Sequence, residues 1–185
     1  EIKGVLNGWE NFVPNGSFEE GTSIPPTHWF NWTSTYAVVS FSFDTVDYTH
    51  GTRAYKFNID GETKAGEWAT CDTGLEWLIP VSPSTLYNLS VKYKDTYWTQ
   101  VKRVLSFEEY DSLGERIGRP RTLDLSHAED WKIASSTYPT STGTAYVRVW
   151  VGIQLKSDNL TGSISFDEVA LKEIGTDETP PTAPG

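Results

Sequence analysis

Two-residue alternation of apolar and polar positions recurs along the chain, and no long stretch repeats at helical spacing. In residues 54–60 (AYKFNID), Tyr55, Phe57 and Ile59 fall on one face, with Lys56 and Asn58 on the other. Residues 86–94 set Leu89, Val91 and Tyr93 against Asn88, Ser90, Lys92 and Lys94. Residues 144–156 oppose Val147, Val149, Val151 and Ile153 to Tyr146, Arg148, Trp150 and Gln154. Further strands are predicted over 36–43, 68–75, 76–81, 101–111, 131–138 and 162–171, bounded by Gly, Pro, Asn, Asp and Ser. Roughly eight to ten short strands without crossover helices predict an all-β fold, an antiparallel sandwich. Residues 1–10 read as a lead-in and 11–174 as the sandwich. Residues 175–185 (GTDETPPTAPG) read as a Pro/Thr-rich linker to a further module.

Composition narrows the partners. Aromatics make up 14% of the 185 residues, with 8 Trp, more than a core of this size needs, so several are expected at the surface. The net charge of −10 (Lys+Arg 15, Asp+Glu 25) argues against nucleic acid and anionic membrane, both of which are bound through basic patches. A neutral ligand is not repelled. Cys71 is the single cysteine, which excludes an internal disulfide and a multi-Cys zinc site. No apolar run is long enough to span a bilayer. The chain opens at Glu1 without a secretory signal, as expected of a processed or excised segment, and export remains compatible with it. The absence of Met and the single Cys match the avoidance of labile residues in thermophile proteins.

Two acidic motifs stand out, residues 15–21 (NGSFEEG) and 163–169 (SISFDEV). If the segments lie side by side, Glu19 and Asp167 converge near one end of a sheet. Carboxylates that close repel unless a proton or cation separates them, and Ca²⁺ is the hard cation that oxygen ligands select. The competing reading is that both are solvated turn residues. Paired carboxylates also serve glycosidases. Against an enzyme, His28, His50 and His127 form no metal-binding motif, and neither GxSxG nor HExxH occurs. Asn15, Asn31, Asn88 and Asn159 head Asn-x-Ser/Thr sequons, of which Asn15 is a poor acceptor because it lies in the acidic turn.

The order NFVPNGSFEEG, then Pro25, Pro26 and Trp29, then DYTHGTRAYKF, VSPSTLYNLSVKYK, EEYDSLGE, AEDWKI, AYVRVWVGI and GSISFDEVAL resembles the carbohydrate-binding modules of families 4, 16 and 22. The resemblance covers about residues 11–174. It implies a jelly roll with the galactose-binding-like fold and a structural Ca²⁺. The metal would take the Glu19 side chain, the Ser17 carbonyl, carbonyls of His50 and Arg53, and Asp167. Glu20 and Glu168 are expected to be solvated neighbours.

It also implies a sugar-binding surface, for which flat apolar faces and a polar rim are required. Trp68, after the GETKAGE loop, sits where the resemblance places a cleft aromatic. Arg148, Trp150 and Gln154 share the non-aliphatic face of their strand, where a bare Trp is costly. Glu108 and Tyr110 are candidates if Leu105 and Phe107 are core, with a surface glutamate as the competing reading. Tyr97 and Trp98 are rim aromatics, and Arg116, with Arg119 and Arg121, supplies rim charge. Trp77 fits core or cleft, whereas Trp29, Trp32 and Trp131 are expected in the core or at a sheet edge.

The expectation is a secreted, monomeric, non-catalytic module that binds a β-linked polysaccharide and holds an attached glycoside hydrolase on it. The alternatives are a calcium-stabilised adhesive domain of a cell-surface protein and a small glycan-active enzyme.

Overall fold

The computed structural model describes residues 11–96 and 100–174. Eleven strands run through them: β1 (Phe30–Thr33), β2 (Val39–Asp44), β3 (Ala54–Asp60), β4 (Trp68–Asp72), β5 (Ile79–Pro80), β6 (Leu86–Asp95), β7 (Val101–Tyr110), β8 (Arg116–Leu125), β9 (Lys132–Pro139), β10 (Tyr146–Leu155) and β11 (Thr161–Glu173). They form two antiparallel sheets, one ordered β1-β4-β10-β7-β8 with β5 also on β10, the other β2-β3-β11-β6-β9. The all-β antiparallel sandwich is what the alternation predicts, and its jelly roll is what the family resemblance implies. The lead-in and linker expectations lie outside the described residues, as do Tyr97 and Trp98.

The period-two pattern fixes which face is buried. Tyr87, Leu89, Val91 and Tyr93 of β6 turn inward and meet Val147, Val149, Val151 and Ile153 of β10 in a single core. Trp29 joins that core and donates its Nε1–H to the Asn15 carbonyl at 3.0 Å. Phe18 packs between Trp29 and Tyr55, with ring centroids 4.9 and 5.3 Å away. Cys71 is fully buried, and burial pushes its thiol well above the ordinary value, so it behaves as a small apolar side chain.

Two elements escape the sequence pattern. β8 is an edge strand, largely exposed along its length, so neither of its faces carries an apolar row; Gly118 and Pro120 mask it further. β1 is four residues long with mostly exposed side chains. The predicted strand over 76–81 reduces to Ile79–Pro80.

Buried polar groups tie the layers together. Arg103 of β7 pairs with Asp95 of β6 across the core, and His127 also pairs with Asp95. The chain entry is zipped onto β11: Phe12 N–H donates to the Leu171 carbonyl at 2.9 Å and Val169 N–H to the Gly16 carbonyl at 2.8 Å. Beside this zipper β11 shifts register between Asp167 and Ala170, a bulge at which Glu168 takes a positive φ of 49°.

Candidate functional site

Strand register lays out the outer face of the β1-β4-β10-β7-β8 sheet row by row. One row runs Trp32, Thr70, Gly152, Val104, and the next Phe30, Asp72, Trp150, Ser106, followed by Arg148 opposite Glu108. Small side chains at Thr70 and Gly152 leave a low floor. A Cβ on Gly152 would sit 2.9 Å from Thr70 Cγ2 and 3.1 Å from Trp150 Cζ3, so the missing side chain is what lets the indole lie down beside it. The result is a cleft of about 370 Å³ lined by Trp32, Thr70, Asp72, Glu108, Arg148 and Trp150.

The polar wall of the cleft is organised around Arg148. Its Nη2 donates to Glu108 Oε2 at 2.6 Å and its Nη1 lies 3.9 Å from Asp72 Oδ1. Tyr110 donates its hydroxyl to the same Glu108 oxygen at 2.8 Å, and Arg116 Nη1 stands 3.7 Å from Glu108 Oε1. Burial pushes the Asp72 carboxyl above its ordinary value, against the pull of Arg148 and of the Gly74 N–H, which donates to it at 2.7 Å. Burial works to lower Arg148, but the Glu108 and Asp72 charges raise it, so it stays a cation. Burial and the hydrogen bond to Glu108 push Tyr110 up to about 12. Trp150 Nε1 and Arg148 Nε are buried without an acceptor among the described residues.

This arrangement revises several expectations. Glu108 is 6% exposed, not a surface glutamate, because Tyr110 and Arg148 enclose it. The Tyr110 ring, 5% exposed, is no stacking platform; what it offers is its hydroxyl, already committed to Glu108. Trp68 and Trp150 meet edge to face, 6.3 Å between centroids, at one side of the cleft. Gln154 stands opposite Trp68 in the β4–β10 register, donates to the Gly66 carbonyl at 3.4 Å and accepts from Lys156. Arg116 lies at the rim. Trp32, expected in the core or at an edge, is at the edge and 55% exposed. Asp72 and Thr70 also line the cleft although no expectation named them. Their alternation with Ala69 and Cys71 was the available signal, since both of those are buried.

The second candidate centre is the loop over residues 49–53. Glu19 Oε1 accepts the N–H groups of Thr52 (3.0 Å) and Arg53 (3.1 Å), and its Oε2 accepts the Thr52 hydroxyl at 2.7 Å. Asp167 Oδ2 accepts the N–H groups of Thr49 (2.8 Å) and His50 (3.0 Å) and the Thr49 hydroxyl at 2.7 Å. The two acids therefore grip one loop from its two ends. Burial pushes the Glu19 carboxyl up, but the hydrogen bonds from Thr52 and Arg53 outweigh it and hold the carboxyl below its ordinary value. Glu168 is not a free neighbour: it pairs with Lys92 and accepts the Thr49 hydroxyl at 2.8 Å.

The expected ligand set is all oxygen, as a hard cation requires. Among the described residues no three His, Cys, Asp or Glu side chains group together, so such a cation would depend on the carbonyls of Ser17, His50 and Arg53 beside the two carboxylates. Ser17, Glu19 and His50 line one hollow of about 490 Å³. Gly51 lets the loop approach closely, since a Cβ there would stand 2.4 Å from the Glu19 carboxylate. In donor type, all oxygen, these residues fit Ca²⁺.

No protein-family model and no curated protein matches the sequence. Solved structures do share the fold. The enzymatically active domain of bacteriophage CBA120 tailspike protein 4 is 14% identical with a TM-score of 0.68, over 91% of this chain and 22% of that one. The present chain thus spans about a fifth of the tailspike chain. TmCBM61, a structure in complex with β-1,4-galactotriose, is 16% identical with a TM-score of 0.62, over 89% and 99% of the two chains. A family 16 carbohydrate-binding module is 18% identical with a TM-score of 0.56, over 87% and 99%. Modules of families 4 and 22 share the fold as well. At these identities the likeness is one of architecture.

Proposed function

We propose that this domain is a non-catalytic carbohydrate-binding module of a secreted or cell-surface protein, which holds an attached polysaccharide-degrading enzyme on a β-linked glycan such as β-glucan, glucomannan or xylan. The observation that carries the reading is the cleft itself, with Trp32 and Trp150 beside an Arg148 braced by Glu108 and Asp72. Aromatic faces take the CH faces of pyranose rings, and an ordered row of donors and acceptors takes the hydroxyls around them. Arg148 and Glu108 are already oriented by each other, so little side-chain entropy is lost when a sugar arrives. The neighbours bound to galactotriose or named as xylan-binding support a glycan ligand of this class. Enzyme action is disfavoured because Glu108, the most enclosed carboxylate of the cleft, is held by a cation and a phenol rather than freed to exchange a proton.

Calcium belongs to the same proposal. Bound at Ser17, Glu19, His50, Arg53 and Asp167, it would pin the entry turn and the loop over residues 49–53 to β11, in a hollow that shares no lining residue with the cleft.

Affinity electrophoresis through gels of β-1,4-glucan, mixed-linkage glucan, β-1,3-glucan, glucomannan and xylan, with calcium and with chelator, tests both parts. Retardation by one or two polymers, lost in Trp32→Ala and Trp150→Ala with the melting temperature kept, is expected. Chelator is expected to lower the melting temperature and leave retardation in place at low temperature. Migration unchanged in every gel would refute glycan binding of this class, and a melting temperature indifferent to chelator would refute the metal.

A further inference from the structure

Aromatic surface continues beyond the cleft, along the edge of the sheet. Phe30 and Trp32 of β1 stand on the same face, opposite Asp72 and Thr70, about 7 Å apart along the strand. Trp32 lines the cleft; Phe30, 40% exposed, is the next step away from it. The loop leaving β4 then folds back over Phe30, where a Cβ on Gly74 would meet the ring at 2.4 Å. That fold delivers Trp77, 48% exposed, against His28 with ring centroids 4.6 Å apart at 76°. Trp77 therefore has a fixed seat and an open surface, whereas an indole placed for the core would be buried as Trp29 is. Beside it the loop leaves Leu75 exposed too.

We infer that Trp32, Phe30 and Trp77 form a ramp that extends the glycan-binding surface out of the cleft over the sheet edge, adding stacking positions for further rings of a long, neutral polysaccharide. The inference rests on the glycan-binding reading above and deepens it. The ramp is continuous with the cleft through Trp32, which belongs to both. Its three aromatics carry no charge, so they would select by ring stacking and tolerate varied hydroxyl patterns, while Arg148, Glu108 and Asp72 read hydroxyls inside the cleft. A protein partner on this edge would instead be expected to use the backbone of β1, the edge of its sheet among the described residues.

The test is calorimetric titration of the wild type, Trp77→Ala and Trp32→Ala with cello-, xylo-, manno- and β-1,4-galacto-oligosaccharides from disaccharide to octasaccharide. Wild-type affinity is expected to keep rising after the cleft is filled. Trp77→Ala is expected to bind the shortest ligands as the wild type does and to lose about three- to tenfold on the longest, flattening the series. Trp32→Ala is expected to lose affinity at every length. A wild-type series that stops rising at the shortest bound ligand, or a Trp77→Ala series that matches the wild type throughout with an unchanged melting temperature, would overturn the ramp and leave the cleft standing. If Trp77→Ala fails to fold, Trp77→Gln and Phe30→Ser carry the same comparison. Absence of binding by the wild type at any length overturns the ramp together with the reading beneath it.

Discussion

Removal of the Glu108 carboxylate is the sharpest test of how the cleft is built. Glu108→Ala leaves the Arg148 guanidinium without its 2.6 Å partner and the Tyr110 hydroxyl without its acceptor. Breaking a buried ion pair from one side costs about 3–5 kcal/mol. Here the lower end applies, because the Arg148 side chain keeps 24% exposure and Asp72 remains 3.9 Å away. We therefore expect a loss of about 3 kcal/mol, which in a 185-residue chain lowers the melting temperature by about 6–12 °C. Glu108→Gln keeps an acceptor for both partners and forfeits only the charge assistance, about 1–2 kcal/mol. Urea unfolding followed by Trp fluorescence measures both. Combined with Arg148→Met in a double-mutant cycle, the two sites should couple by about 1–3 kcal/mol. Coupling within about 0.5 kcal/mol of zero would show that the carboxylate does not brace the arginine, and the idea of a pre-oriented polar wall would fall with it.

Other outcomes follow from the same geometry. Gly152→Ala puts a methyl 2.9 Å from Thr70 Cγ2 and 3.1 Å from Trp150 Cζ3, so it should cost about 1–3 kcal/mol and displace the indole, weakening polymer retention beyond the stability loss; unchanged retention would detach Trp150's position from binding. The Glu19 carboxyl sits below its ordinary value of 4.5 in the folded chain, so its stabilisation is complete above pH 4.5 and fades as pH falls through the lower folded value. Glu19→Gln should accordingly be less stable than the wild type at neutral pH and converge with it in acid, read from melting temperatures across that range. Tyr110 should remain un-ionised until about pH 12, and Glu108→Gln should bring its ionisation down, which ultraviolet titration detects.

The sequence by itself determined the layers. Alternation in β3, β6 and β10 decides which side chains are buried, because a strand shows its residues to opposite faces and only one face can meet the core. It also carried the placement of Arg148, Trp150 and Gln154 on one outward face, since period-two reasoning reaches that far, whereas the meeting of Glu19 and Asp167 with the loop over residues 49–53 was implied only by the family resemblance. Only the tertiary structure decided what stands across the strand. Asp72 meets Trp150, and Trp32 meets Thr70, through register between segments far apart in the chain, and local pattern carries no record of register. Exposure was likewise out of reach. Glu108 and Tyr110 read as surface groups until Arg148 closes over them, while Trp32 reads equally as core or edge and Trp77 as core or cleft until an edge strand and a folded-back loop leave both open. An aromatic or a carboxylate has the same local signature in either setting, and its neighbours across the sheet decide between them.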